Sequence, residues 1–466
     1  MAEPTTGGRP DQPRSLPLRA ALGGLKRGFA SLGVRNYRLY WSGQVVSLVG
    51  TWMQQVSLPW LVLALGGSPL QLGLVAAFQY GPALFLAPFG GVVADRVDKR
   101  RLLMASQAAA SAQAAILFAL TVTGVVEIWM VMVMAMWLGL VNAVDMPVRQ
   151  SLAADLVPRN LLPNAIALNS MAFNSARVVG PALAGVIIAI GASLTGSDTI
   201  GVAINLAINT ATYSAVILGL FLMNPADIRR QERPERHPPV LHSLSEGFRY
   251  ATREPLVRWS LVLLGGVAIF GMNFQILLPL FAQGVLGLGA DGYGALFAAM
   301  GVGSLSGSLA LAFMRQRRAL LLMLGGGTVF AALIVGIGVT RNVWIVAPII
   351  AAAGFFSMLM INTINATVQA NVTDALRGRV MSFYVTVFAG SAPIGGLIAG
   401  ALAEAWGASV AFMVGGLASL VIIGLVAWGL RVAAARGPLG VTRLDTSSRP
   451  AESRGTGEPR PASAAR

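Results

Sequence analysis

The feature that most constrains this chain is the recurrence of apolar runs about twenty residues long, the length a helix needs to cross ~30 Å of hydrocarbon. Twelve such runs follow one another, near residues 36–65, 70–94, 102–123, 127–148, 163–191, 199–223, 256–284, 292–314, 319–339, 343–369, 379–402 and 408–430. Within lipid each backbone N–H and C=O needs a partner inside the protein, so runs of this length are expected to be helices. Composition agrees, because 55% of residues are hydrophobic and 11% charged, whereas soluble domains carry about a quarter charged residues. The expected fold class is an all-α membrane protein of twelve transmembrane helices in two pseudo-symmetric six-helix bundles.

Charge placement sets the topology. The net charge of +15 could suggest nucleic acid, but 32 of the 34 Lys and Arg residues fall in the two tails, the central linker and alternate loops. The exceptions are Arg177 and Arg341, and the opposite loops carry Glu127, Asp198, Asp291 and Glu404. By the positive-inside rule both termini are cytoplasmic, in a multi-pass cytoplasmic membrane protein. The expected organisation is a tail at 1–35, a bundle at 36–223, a linker at 224–255, a second bundle at 256–430 and a disordered tail at 431–466. Residues 1–35 lack the apolar core and cleavage site of a signal peptide. In the linker, Ser243 and Glu246 form a capping box, which predicts a short amphipathic surface helix with Leu244 and Phe248 facing lipid or protein.

No catalytic constellation is visible. The chain has no Cys, and its two His residues, His237 and His242, sit in the linker, so no metal site, cofactor or enzymatic activity is expected. The glycines at 325–327 lie in an apolar run with no following Lys-Ser/Thr, which marks them as packing residues and not a phosphate-binding loop.

The halves repeat each other at an offset of 220 or close to it. Asn142, Asp145 and Arg149 match Asn362, Asn365 and Gln369, and Gly180 and Gly185 match Gly395 and Gly400. Between the second and third runs, GGVVADRVDKRRLL (90–103) places Gly91, Asp95, Arg96, Asp98, Lys99 and Arg100 in a tight basic turn. This stretch resembles motif A of the major facilitator superfamily, with Asp98 where that motif usually has Gly. In the fifth run, ARVVGPALAG (176–185) brings Gly180, Pro181 and Gly185 into a small-residue seam. It resembles the antiporter motif of drug:proton exporters, and segments 29–63 and 142–185 are similar to the branch that includes enterobactin exporters. The resemblance covers residues 29–430 and implies export from the cytoplasm driven by proton entry.

Polar residues inside apolar runs point to faces that line a cavity or join helices. Gln44, Ser47, Thr51 and Gln54 form one stripe on the first run. Asn142, Asp145 and Arg149 form another, and Asn362, Asn365 and Gln369 a third, with Asn273 and Gln275 added by the seventh run. Interhelical bonding is an even alternative for any single residue, and the three stripes together favour a wet substrate cavity. Arg177 stands ~21 Å along its run and needs a partner. Asp145 and Arg149, four residues apart, can pair. As the membrane acid away from an outer helix end, Asp145 is the candidate proton carrier, and Asp95, Arg96 and Arg100 are candidate gate residues with Arg149. The expected activity is export of a small organic molecule by alternating access with proton antiport. Protons, membrane lipids and the substrate are the expected partners of a monomer that binds no nucleic acid. An importer of the same fold and a non-transporting membrane sensor or assembly protein stand as alternatives.

Overall fold

The computed structural model describes residues 28–228, 240–314 and 319–436, with the side chains of 83, 87–96, 240–244, 312 and 375 outside that description. The described residues form helices and turns only. Six long helices come first: α1 (Arg35–Ala64), α2 (Pro69–Arg96), α3 (Lys99–Val122), α4 (Ile128–Asp155), α5 (Leu162–Thr195) and α6 (Asp198–Phe221). A short α7 (Val240–Arg253) precedes α8 (Pro255–Gly271), α9 (Phe274–Gly284), α10 (Ala290–Phe313), α11 (Ala319–Val339), α12 (Val343–Ala370) and α13 (Asp374–Arg436). Among the described residues ten helices are long and apolar enough to cross a membrane by length and composition. The architecture is therefore an all-helical membrane fold.

Loop chemistry differs between the two ends of the bundle. The end where α1 begins also carries Lys99, Arg100, Arg101, Arg159 and Arg379, and is called the basic face here. At the opposite, far face the chain turns on Gly66, Gly124, Gly196, Gly287 and Gly407, each with φ between 64° and 83°. A left-handed glycine closes a helix without the Cβ penalty another residue would suffer, so these loops are short.

Several boundaries differ from the sequence expectation. α2 runs through Arg96 and α3 starts at Lys99, which leaves a turn of Val97 and Asp98 only. The turn is that tight because the Asp98 carboxylate caps α3, accepting from the Arg101 N–H at 3.0 Å. α4 extends to Asp155 because Lys99 pairs with that carboxylate in its last turn. The seventh run is broken at Met272 and Asn273, and Asn273 Nδ2 donates to the Ile269 carbonyl at 2.6 Å, satisfying a group freed by the break. The last two runs are two helices that meet at Gly407, whose φ of 83° and ψ of 163° are not helical, and α13 spans both. α7 begins before Ser243, so that residue is not its cap, and Glu246 pairs instead with Arg379 at the start of α13. Phe248 meets the Phe383 ring edge-on at 5.6 Å, and the side chain of Leu244 lies outside the described residues.

Glycine contacts give the repeat a physical form. A Cβ on Gly180 would lie 2.5 Å from the Trp52 Cβ on α1, and one on Gly185 would lie 2.6 Å from the Ala290 carbonyl at the start of α10. Gly395 meets the Ile269 carbonyl on α8, and a Cβ on Gly400 would lie 2.7 Å from the Pro69 carbonyl at the start of α2. Each half thus uses one glycine to seat its own helix and a second to touch the other half. Pro181 contributes its carbonyl, which would lie 2.5 Å from a Cβ on Gly294 of α10.

Candidate functional site

Asp145 is buried at the basic-face end of α4 and collects four donors. Its Oδ1 accepts from Ser106 Oγ and Gln107 Nε2, both at 2.7 Å, and its Oδ2 accepts from Arg149 Nε at 2.8 Å and Nη2 at 2.6 Å. One helical turn brings the two ions together, and α3 supplies the neutral donors. Asn142 is half-buried one turn along the same helix. Arg100 is committed elsewhere: its Nε donates to the Leu220 carbonyl at 2.6 Å and its Nη2 to the Phe221 carbonyl at 3.0 Å, capping α6 within its own half. Gly91, Asp95 and Arg96 belong to the stretch whose side chains and surroundings lie outside the described residues.

The stripe on α1 does not face the other half. Gln44, Ser47 and Gln54 are buried, and α1 packs on α6 here, where Gly50 meets Thr212 and Asn209, and a Cβ on Gly43 would lie 2.6 Å from the Ala215 carbonyl. Gln54 Nε2 donates to Gln113 at 3.1 Å, and Asn209 Nδ2 donates to Gln54 at 2.5 Å. Thr51 bonds back to the Ser47 carbonyl at 2.9 Å. Of the residues expected to line a cavity, Gln54 is bonded between helices, Thr51 bonds within α1, and Gln44 Oε1 is buried without a hydrogen-bond partner among the described residues. Further along, Asn205 donates to Ser57 at 3.0 Å and to the Ala184 carbonyl at 3.1 Å, and Trp60 donates to Asp198 at 3.0 Å. Buried polar groups therefore follow α1 from Arg149 at the basic face to Asp198 at the far face.

Rotation by one residue changes the role. Gln55, adjacent to Gln54, faces the other half, where Gln275 Nε2 donates to its Oε1 at 3.3 Å and Tyr80 donates to Gln275 Oε1 at 2.7 Å. Sequence reasoning missed Gln55, Tyr80, Ser106 and Gln107, and the offset of Gln55 from the stripe was the one available signal. In the second half, Asn362 Nδ2 donates to Ser308 at 3.1 Å, and Gln369 Nε2 donates to Asn365 at 2.6 Å. Asn273 lies against Gly395 of α13.

The halves meet along two seams, α5 with α10 and α2 with α13. Toward the far face Trp60 stacks on Tyr293 at 5.7 Å, and the Leu70 N–H donates to Glu404 at 3.1 Å. The seams reach mid-helix where Gly301 meets the Arg177 carbonyl and Gly390 meets Leu84. Arg177 lies at that level, its guanidinium 5.7 Å from the Trp52 ring centre. Trp52 in turn contacts Phe173 at 5.5 Å and Phe297 at 6.3 Å. Among the described residues no group of three or more metal-binding side chains assembles.

Comparison with known proteins agrees with this construction. Residues 26–438 match the family described as transmembrane secretion effectors. The chain is 26% identical to the staphyloferrin A transporter of Staphylococcus aureus over 83% of its length and 94% of that protein. It is 25% identical to the multidrug efflux pump Tap of Mycolicibacterium fortuitum, covering 80% of this chain and 90% of that one. It is 24% identical to the enterobactin exporter of Citrobacter koseri, with 84% and 90% covered. Among solved structures it is similar to a bacterial homologue of the human lysosomal transporter Spinster, captured inward-facing and occupied. The TM-score is 0.67 at 14% identity, with 86% of this chain and 97% of that chain covered.

Proposed function

The chain belongs to the transmembrane secretion effector family of the major facilitator superfamily, as a secondary transporter that exports small molecules, and from that premise we propose that it exchanges an amphipathic organic molecule, drug-like or siderophore-like, for protons. Twelve spans follow if α1, the joined α8–α9 and both arms of α13 are counted, which divides them into six-helix bundles at 36–223 and 256–430. The basic face is cytoplasmic by the positive-inside rule, and one chain supplies both bundles, so the transporter works as a monomer.

Alternating access is supported by the seams. Contacts between the halves run from the far face to Gly301 and Gly390, while Met171, Leu309 and Val385, nearer the basic face on the same helices, are exposed. This fits a cavity that opens to the cytoplasm. Closing the basic face and parting Gly185 from Gly294 and Gly400 from Gly73 would present the same cavity outside.

The observation that carries proton coupling is the Asp145 cluster, a buried carboxylate whose negative charge holds Arg149 in place. A proton on Asp145 removes that charge and converts one acceptor into a donor, so Arg149 and the α3 donors must rearrange. Arg149 then couples proton arrival to the position of α4. Inside-out vesicles with a proton gradient provide the test. The wild type concentrates a transported dye, whereas Asp145→Asn retains equilibrium exchange and loses accumulation. A variant that still concentrates dye rejects Asp145 as the carrier.

A further inference from the structure

Arg177 is a partly buried charge with no counter-ion among the described residues. Among the described residues two other acids buried toward the basic face are paired, Asp145 with Arg149 and Asp155 with Lys99. Among the described residues no hydrogen bond or ion pair reaches the Arg177 guanidinium, and its Nε is buried without a partner. The helices around it supply no counter-ion. α1 and α5 contain no Asp or Glu, and the acid of α10, Asp291, is ten residues from Gly301, ~15 Å along the helix. Asn174, one turn from Arg177, spends its amide on the Ser170 carbonyl at 2.8 Å. A bare cation in this setting is costly, and the Trp52 face offsets only part of that cost.

The surroundings describe what would complete it. Trp52 and Phe173 meet edge-on, and Phe297 of the other half closes the group, so the charge sits beside aromatic faces where the α5–α10 seam ends toward the basic face. Phe173 is 42% exposed and lies one turn toward the basic face, which leaves an approach from that side. A guanidinium offers a planar fork to an oxyanion, and the rings offer surface to an apolar body. We propose that Arg177 is the recognition site for an organic oxyanion, a carboxylate or sulfonate borne on an aromatic or aliphatic frame, which fixes the exported molecule as an amphipathic anion. This assignment rests on the export reading and adds its substrate class. It also excludes lipophilic cations as preferred cargo, because among the described residues no acid faces the site to offset their charge.

Two dyes that share a frame separate charge recognition from packing: the anionic 8-anilinonaphthalene-1-sulfonate and the neutral N-phenyl-1-naphthylamine. Binding of each to the full-length protein in nanodiscs is read by fluorescence, with empty nanodiscs subtracted. Arg177→Gln is expected to weaken the sulfonate about tenfold or more and to leave the neutral dye within about twofold. Arg177→Lys, which keeps the charge without the fork, falls between. Equal weakening of both dyes by Arg177→Gln assigns the residue to helix packing and overturns the proposal, as does undiminished sulfonate binding or the absence of saturable sulfonate binding to the wild type. Gradient-driven dye uptake into inside-out vesicles is measured in parallel. Uptake without anion preference removes this site alone, whereas binding without any driven uptake removes the export reading.

Discussion

Residues 145–149 and 365–369 occupy matching places in the two halves and make the same one-turn contact with different chemistry. In α4 it is an ion pair, Arg149 to Asp145 at 2.6 Å, shared with Ser106 and Gln107 of α3. In α12 it is an amide pair, Gln369 to Asn365 at 2.6 Å, with Gln369 exposed. The interiors behind them diverge in the same sense. Gln54 bonds to both Gln113 and Asn209 inside the first half, whereas Phe274 lies 6.4 Å from Phe330 and 5.8 Å from Phe412 inside the second. Duplicated geometry has been kept while charge has been confined to one copy. In the proposed mechanism the first half responds to the proton, and the second is the apolar body against which that response is exerted.

The largest test of this division converts one pattern into the other. The double variant Asp145→Asn with Arg149→Gln should fold, because the amide pair exists in α12, yet gradient-driven accumulation should vanish in the vesicle assay. Asn365→Ala should leave accumulation within about twofold, and equal losses in the two halves would break the comparison. Next in size, Arg149→Ala strands a buried carboxylate and should destabilise the protein by about 3–5 kcal/mol, against under ~1 kcal/mol for Gln369→Ala. Reversible unfolding in mixed detergent measures both.

Packing sharpens the contrast at smaller scale. A Cβ on Gly303 of α10 would run into the Ala351 backbone of α12, whereas one on Gly81 of α2 meets nothing within 4 Å. Gly303→Ala should cost about 1–3 kcal/mol, while Gly81→Ala should be neutral or stabilise by roughly 0.5–1 kcal/mol through its helix propensity. Similar melting shifts for the two would show that close backbone approach does not set the cost of a Cβ here. The smallest effect is expected at the bridge between halves, where Tyr80→Phe removes the 2.7 Å bond to Gln275 and should raise exchange rates by a few-fold with a stability change of about 1 kcal/mol. An unchanged rate in counterflow would remove this bond from the gate.

Much of the molecule was legible in the chain. Apolar run length dictated helices, because lipid offers no partner to a backbone amide, and the distribution of Lys and Arg gave the two faces different loops. The offset of 220 paired Asp145 with Asn365, and a four-residue step placed Arg149 on its acid. Which way each helix turned about its axis was decided only by tertiary structure. A membrane helix is apolar on nearly every side, so hydropathy does not orient it, and Gln54 and Gln55 are equivalent in composition. Contacts of Gly43 with Ala215 and of Gly50 with Asn209 set the rotation of α1, sending Gln54 into the first half and Gln55 toward Gln275. The same holds for Arg100, whose charge pattern suggested a gate and whose geometry caps α6. An arginine's charge is written in the chain, but the carbonyls it reaches belong to a helix 120 residues away, and only packing brings them together.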